Sequence, residues 1–418
     1  MTRFRSANFA PVFLLAFMAL ANAPARAQAP ALADVSLDRV VVEGRAGATL
    51  TLDKIDATST NLTHDELASL FKPDTPKDAA SAVLAKMQAA KLTIPSAVLA
   101  TPEGTATLRG VVAEQIANGH VAKASSTGFE GSIKDGADLI TFLSRSIELR
   151  DLDLSSLIAR FRAGDLYGSP RVGAIDWKGF EASFPDRDTP ADAQGGNIFK
   201  FSLGSLTAQN TYDGDTPLKG SAKGEHLVIV APPASQLGAA LAGFGYDKLD
   251  LGFNVVGDYD KSARNLNLKN YTLDAAGAGA LSISGSLANL PPTMFTGDRA
   301  TRAASARNAT LSKLGVHYVD AGLFARLNDY FATAQGQTKD EVKAQWSLLA
   351  KQILPLLLGG DAGAQKLSAA LAAFVEDPKA VTISATAKGA PLKIADLLKL
   401  SDPGDLLARL DISAKSGE

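Results

Sequence analysis

Residues 249–287 read LDLGFNVVGDYDKSARNLNLKNYTLDAAGAGALSISGSL. Apolar side chains fall on every second position at Leu249, Leu251, Phe253 and Val255, the period of a strand with one apolar face. DYDKSAR makes a turn, and Leu266 and Leu268 return on the same pattern. The phase then slips by one, to Tyr271 and Leu273, as a β-bulge requires. Leu281 and Ile283 complete the run. Such alternation marks an antiparallel sheet with one apolar and one polar face.

Similar patterns surround this stretch. Val35 to about Leu62 alternates as strands, with Gly44 and Gly47 as turn signals. Thr63 and Glu66 form a capping box for a short helix that Pro73 stops. Thr75-Pro76 opens a second helix carrying Ala80, Val83, Leu84 and Met87. Short strands separated by glycines run from Leu92 to Ile133, a meander. Residues 137–163 read as mixed, with Leu139, Phe142 and Leu143, and again Leu157, Ile158 and Phe161, at helical spacing. Residues 171–290 hold the strongest strand signal, with Phe199, Phe201 and Leu203 on one face. The polar loop FPDRDTPADAQGGN is expected to be exposed and mobile.

After Pro291-Pro292 the signals turn helical. Asp320 can cap a helix with Leu323, Phe324, Leu327, Tyr330 and Phe331 that Gly336 ends. Thr338 and Glu341 form a second capping box, starting a helix through Val342, Trp346, Leu349 and Ile353 that Pro355 and Gly359-Gly360 interrupt. Leu367, Leu371 and Phe374 mark a third helix. Val381 and Ile383, and later Leu410 and Ile412, return to strands, with a short helical stretch at Pro391 between them. The sequence therefore predicts an α+β, mainly antiparallel β chain, an elongated curved sheet or meander with a helical part near the C-terminus. Its expected parts are a signal peptide (1–27), a β-rich body with short helices (28–290) and a helical part with returning strands (291–418).

The expected setting is the periplasm. Arg3 and Arg5 precede an apolar run from Phe9 to Ala21, and Ala25-Arg26-Ala27 is a small-x-small cleavage site. The run falls short of the about 20 residues a membrane-spanning helix needs. Cleavage there takes Arg3, Arg5 and Arg26 from the 42 basic residues and none of the 44 acidic ones, so net charge moves from −2 to −5. That sign disfavours nucleic acid as a partner and electrostatic docking on anionic lipid. With no cysteine, disulfides, thiolate metal sites and cysteine nucleophiles are excluded. Aromatic residues make up 6% of the chain, and its polar C-terminus, DISAKSGE, does not suit an outer-membrane barrel with aromatic girdles.

Chemistry-bearing motifs are sparse. His64, His120, His226 and His317 are scattered, without the spacing of a zinc site. Asp258 to Ser262 resembles a calcium loop only faintly, with Ala263 where glycine is required, and reads as a hairpin turn. Ser69 and Lys72 match S-x-x-K without its partner motifs. No cofactor and no catalytic residue is assigned, although a hydrolytic site dispersed along the chain leaves no local motif.

The stretch 249–291, followed by LSKLGVHYVDAGLFARLNDYFATAQGQTKDEVKAQW, resembles bacterial envelope proteins of the AsmA-like kind over about residues 245–415. The likeness rests on strands of l-x-l-x-g type, a small-x-l-x-G-x-l ending, and the step Tyr318, Asp320, Gly322, Leu323 into paired helices. The resemblance implies a curved sheet with an apolar concave face and a role in envelope lipid homeostasis or assembly, with a lipid or an envelope protein as partner. Members of that group keep an inner-membrane helix, whereas the leader here is cleavable. The candidate groove residues are Leu251, Phe253, Val255, Leu266 and Leu268. The same five are core candidates, so a scaffold with a filled core is the alternative reading.

Overall fold

The computed structural model describes residues 32–43, 47–72, 75–136, 138–154, 171–399 and 402–417. The leader read in residues 1–27 and the helical spacing of Leu157, Ile158 and Phe161 lie outside them. Antiparallel strands dominate, with helices mostly in the C-terminal half. The fold class is α+β, mainly antiparallel β, as the alternation predicts. The chain divides into two compact units. One runs to Pro185 and adds Ser202–Gln209, and the other comprises Asp186–Phe201 and Asn210 onward.

The first unit contains β1 (Ala33–Glu43), β2 (Thr49–Thr60), α1 (His64–Ser69), α2 (Lys77–Lys86), β3 (Gln88–Thr101), β4 (Gly104–Ala117), β5 (His120–Ser126), β6 (Gly128–Asp135), β7 (Asp138–Asp153) and β8 (Arg171–Pro185). Strands β1 to β4 pair in chain order. β5 and β6 then share the place between β4 and β7. They are in effect one long strand broken at Thr127. There the backbone turns to bond Arg109, and the Ser126 hydroxyl donates to the Arg109 carbonyl at 2.8 Å.

The capping box at α1 is formed as read. The Glu66 amide donates to Thr63 Oγ1 at 3.2 Å, and Glu66 Oε2 accepts from the Thr63 amide at 2.9 Å. This fixes the entry of α1, whose Leu67 joins Leu52, Ile55, Met87, Ile94, Val111, Val121, Leu152 and Leu154 in a filled core. Each of these side chains is 2% exposed or less.

One reading of this unit is corrected. Leu139, Phe142 and Leu143 do not lie on a helix but on β7, paired on both sides. Leu139 and Leu143, four apart, share a strand face as readily as a helix face. Phe142 takes the other face and stacks on Phe129 at 5.0 Å. Most of the polar loop is exposed, as expected, but one residue in it is anchored. Thr189 is buried, and its hydroxyl donates to Asp186 Oδ2 at 2.6 Å.

Strand β9 (Ile198–Asp213) contributes its middle to the first unit and its ends to the second. The second unit continues with β10 (Thr216–Val230), α3 (Gln236–Gly243), β11 (Leu249–Asp260), β12 (Asn265–Ala275), β13 (Gly279–Ala288), α4 (Thr293–Thr296), α5 (Arg299–Asn308) and β14 (Thr310–Asp320). Then come α6 (Leu323–Gln335), α7 (Lys339–Leu348), a π-turn (Leu349–Ile353), α8 (Leu354–Leu357), α9 (Ala362–Glu376), β15 (Ala380–Ala387), β16 (Leu392–Lys393), α10 (Ile394–Leu397), α11 (Pro403–Ala408) and β17 (Leu410–Ser416). Strands β10 to β15 pair in chain order, and β17 adds to β15. The sheet thus runs on through β14, past the Pro291-Pro292 break.

The bulge read at the phase slip is present. Val256 pairs with Asn270 and Gly257 with Leu268, so Lys269 is the extra residue. Its ammonium turns to the polar face and meets Asp258 Oδ2 at 2.5 Å. Tyr271 therefore stays on the apolar face with Leu268. A second bulge lies in β10, where Glu225 and His226 together oppose one residue between Phe253 and Leu251, with His226 at φ 55°.

The step from β14 into α6 explains the Tyr-x-Asp-x-Gly-Leu pattern. The Asp320 carboxylate accepts from the Gly322 and Phe324 amides, both at 2.9 Å. The Tyr318 hydroxyl donates to Asp320 Oδ1 at 2.9 Å and to the Ala278 carbonyl at 3.1 Å. Gly322 has φ 119°, a conformation any side chain would strain. The helix read from Thr338 keeps its capping box and ends as α7. Beyond it the chain stays helical to Leu357 rather than breaking at Pro355. Proline has no N–H to give a residue in the preceding turn, and the backbone there widens into the π-turn.

Candidate functional site

Register assigns the paired residues of the second unit's strands to one face or the other of the sheet. Across β10 to β14, one row runs Ala222, Val255, Tyr271, Ile283 and Val316, and the next Gly220, Gly257, Leu268, Gly285 and Leu314. A third, over β11 to β14, runs Tyr259, Leu266, Leu287 and Leu311. The reverse face carries Asn254, Asn267, Asn270, Thr272, Ser282, Ser286 and His317. It is knitted by side-chain bonds such as Thr272 with Ser282 at 2.9 Å, Ser286 to Asn267 at 2.9 Å and His317 with Thr382 at 2.8 Å. Those bonds satisfy polar groups within the sheet, and the apolar character collects on one side.

Helices cover the two margins of the apolar face. At one end Tyr259, Leu290 and Ala309 are buried, with Leu266, Leu287, Met294 and Phe295 packed on them. Tyr259 and Phe295 meet edge to face at 4.9 Å, and the Tyr259 hydroxyl donates to the Leu290 carbonyl at 2.6 Å. Burial raises that phenol above its ordinary pKa. At the other end Tyr318 meets Phe374 of α9 at 5.9 Å, and Phe324 links Phe374 to Trp346 at 5.7 and 5.2 Å. Burial first, then the Asp320 carboxylate it bonds, pushes the Tyr318 phenol well above the usual range. Over β15 and β17, Ala385, Leu410 and Ile412 are buried with Ala364 of α9.

The middle of the face is different. Leu251, Phe253, Val255 and Leu268 are half-buried and belong to none of the buried clusters of the described residues. Of the five residues singled out in the sequence, Leu266 alone packs against a cluster. Gly220, Gly257 and Gly285 leave one row low, and within it Leu268 has a glycine on each flank. Leu314 at its far side is 37% exposed. At the usual strand spacing of about 4.8 Å, this row from β10 to β14 spans about 19 Å. It forms a shallow trough with apolar walls. Two rows away, beyond the row of Val255, Phe253 lies over Gly224, where a Cβ would come within 2.2 Å of the ring.

All five residues stand on one face, as the alternation implies. Sequence reasoning missed the β14 contribution, Leu314 and Val316, although LSKLGVHYVD alternates, because the helical signals around it dominated. It also passed over Gly220, Gly257 and Gly285, whose meaning comes from cross-strand register. A further apolar surface lies on α7, the π-turn and α8, where Leu348, Leu349, Ile353, Leu356 and Leu357 are 44–78% exposed. Among the described residues no group of three acidic or histidine side chains is arranged to hold a metal ion. No helix of the described residues is long and apolar enough to cross a membrane.

A family model described as "Uncharacterized protein" matches residues 272–417, from β12 to the end of β17. No curated protein matches the chain.

Proposed function

We propose that this chain is a non-enzymatic periplasmic protein that binds the apolar part of a lipid in the trough of its second unit. The observation that carries the reading is the low row of Gly220, Gly257, Leu268, Gly285 and Leu314, open between two helix-covered margins. Half-buried leucine and aromatic side chains on a sheet floor gain from covering by an apolar ligand about 25 cal/mol for each Å² removed from water. Exposed leucines on α7 and α8 add apolar surface that a lipid-handling protein can use. The export signal read in the sequence supports a periplasmic setting, and the likeness to AsmA-like proteins supports a lipid as ligand.

The test is native mass spectrometry of the mature protein purified from periplasm, with identification of any extracted lipid. Stoichiometric lipid on the wild type, lost in Leu314→Glu with the far-ultraviolet circular dichroism unchanged, is the expected result. A clean protein mass that stays clean after incubation with phospholipid vesicles would sink the reading and favour a scaffold.

A further inference from the structure

A second concavity lies in the C-terminal unit, away from the middle of the trough. It is a cleft of about 410 Å³ whose lining includes Lys388, Leu392, Lys393, Asp396, Leu397 and Arg409. That volume falls within the range of small-molecule sites, about 300–1,000 Å³. The walls are the end of β15, strand β16, helix α10 and the residue after α11. Two hydrogen bonds tie Lys388 to the opposite strand end. The Lys388 amide donates to the Arg409 carbonyl at 2.9 Å, and the Lys388 ammonium donates to the Ala408 carbonyl at 3.2 Å.

The cleft brings together three cations and one carboxylate. Sequence separates them, with Lys388 and Arg409 twenty-one positions apart, and pairing of Ala387 with Leu410 draws them together. Among the described residues neither Lys393 nor Arg409 has an ion-pair partner. Lys388 spends one hydrogen on a carbonyl, which leaves its charge uncompensated. A concave surface carrying excess positive charge focuses an anion. Arginine presents a fork that matches an oxyanion, and lysine adds point charge. Beside them Leu392 is buried and Leu397 half-buried, so the cleft has an apolar flank as well.

We propose that this cleft binds a phosphate-bearing ligand, with Lys393 and Arg409 on the phosphate oxygens, Lys388 behind them and Leu392 and Leu397 against the ligand's apolar portion. The phosphate can belong to a lipid headgroup or to a free phosphate compound, and the chemistry of capture is the same. The inference goes beyond the trough and does not depend on it.

The experiment is isothermal titration of the mature chain with three probes: inorganic phosphate, dihexanoyl phosphatidic acid and neutral dihexanoylglycerol. The double variant Lys393→Gln/Arg409→Gln is titrated in parallel, and its circular dichroism checks the fold, since both side chains are exposed. Saturable binding of phosphatidic acid, weakened at least about tenfold in the double variant and by added salt, is expected. Inorganic phosphate binding as tightly as phosphatidic acid would support the site and assign it to free phosphate compounds. Phosphatidic acid binding far more tightly would support it as a headgroup site. If neither phosphate probe binds, or if the variant binds them as the wild type does, the proposal is overturned. Failure of the trough to hold lipid would appear in the native mass spectra and would leave the inorganic phosphate titration unchanged.

Discussion

Truncating Leu268 to alanine should cost less stability than truncating a core leucine, and that difference is the sharpest test of an open trough. Full burial of a leucine side chain is worth about 1.5–3 kcal/mol. Leu268 is mostly but not fully buried, with Gly257 and Gly285 beside it, so about 1–2.5 kcal/mol is at stake. Leu52 makes the internal contrast. It is 1% exposed in the filled core of the first unit, and Leu52→Ala should cost about 2–5 kcal/mol through lost contacts plus a cavity. The chain carries its own reporters, since its two tryptophans fall one to a unit, Trp177 in β8 and Trp346 in α7. Urea unfolding of Leu268→Ala in a Trp177→Phe background follows the second unit, and Leu52→Ala in a Trp346→Phe background follows the first. A loss of about 3 kcal/mol or more for Leu268→Ala would mean that the row is covered core, refuting the trough.

Deleting Lys269 should leave the second unit folded, since Leu268, Asn270 and Tyr271 then alternate without a bulge. Deleting Thr272 two pairs along should unfold it by turning half the strand inside out, and both outcomes are read by circular dichroism and Trp346 emission. Gly322→Ala should lower stability by about 1 kcal/mol or more, measured as a fall in the thermal midpoint, because φ 119° suits no side chain. Glu341 lies below its ordinary value of 4.5 because it accepts first from the Thr338 backbone and then from its hydroxyl. A folded-state pKa below the unfolded one stabilises above the unfolded value and is lost as pH falls through the folded one. The capping contribution is therefore present above pH 4.5 and disappears below it. Urea midpoints of Glu341→Gln should accordingly fall less between neutral and acid pH than those of the wild type, and an equal fall would refute the assignment.

Much of this fold was legible because its signals are local. Alternation at Leu249, Leu251, Phe253 and Val255 fixes a strand face within a few residues, and both capping boxes need only four positions. The slip between Leu268 and Tyr271 even located the bulge. What escaped has two physical causes. Spacing is degenerate where strand and helix periods coincide, as for Leu139 and Leu143, and only pairing with β6 and β8 decides between them. Other features exist only between distant residues. The glycine row comes from register across five strands, and the basic cleft from one strand pair that joins Lys388 to Arg409. No window along the chain contains either. Helix α3 was missed for a third reason. SQLGAALAG carries little amphipathic contrast, and its start is set by the Ser235 hydroxyl accepting from the Gly238 amide at 3.0 Å.

The two bulges also bear on how such a sheet can change over time. A strand is read in steps of two, so adding or losing one residue normally swaps the duties of everything downstream. Lys269 and the Glu225–His226 pair already absorb one surplus residue each, on strands that flank β11. At those positions loss of a single residue leaves unchanged which side chains occupy the apolar face. Length variation among descendants of this chain should therefore gather there, and the trough can be inherited intact while the strands that build it drift in size.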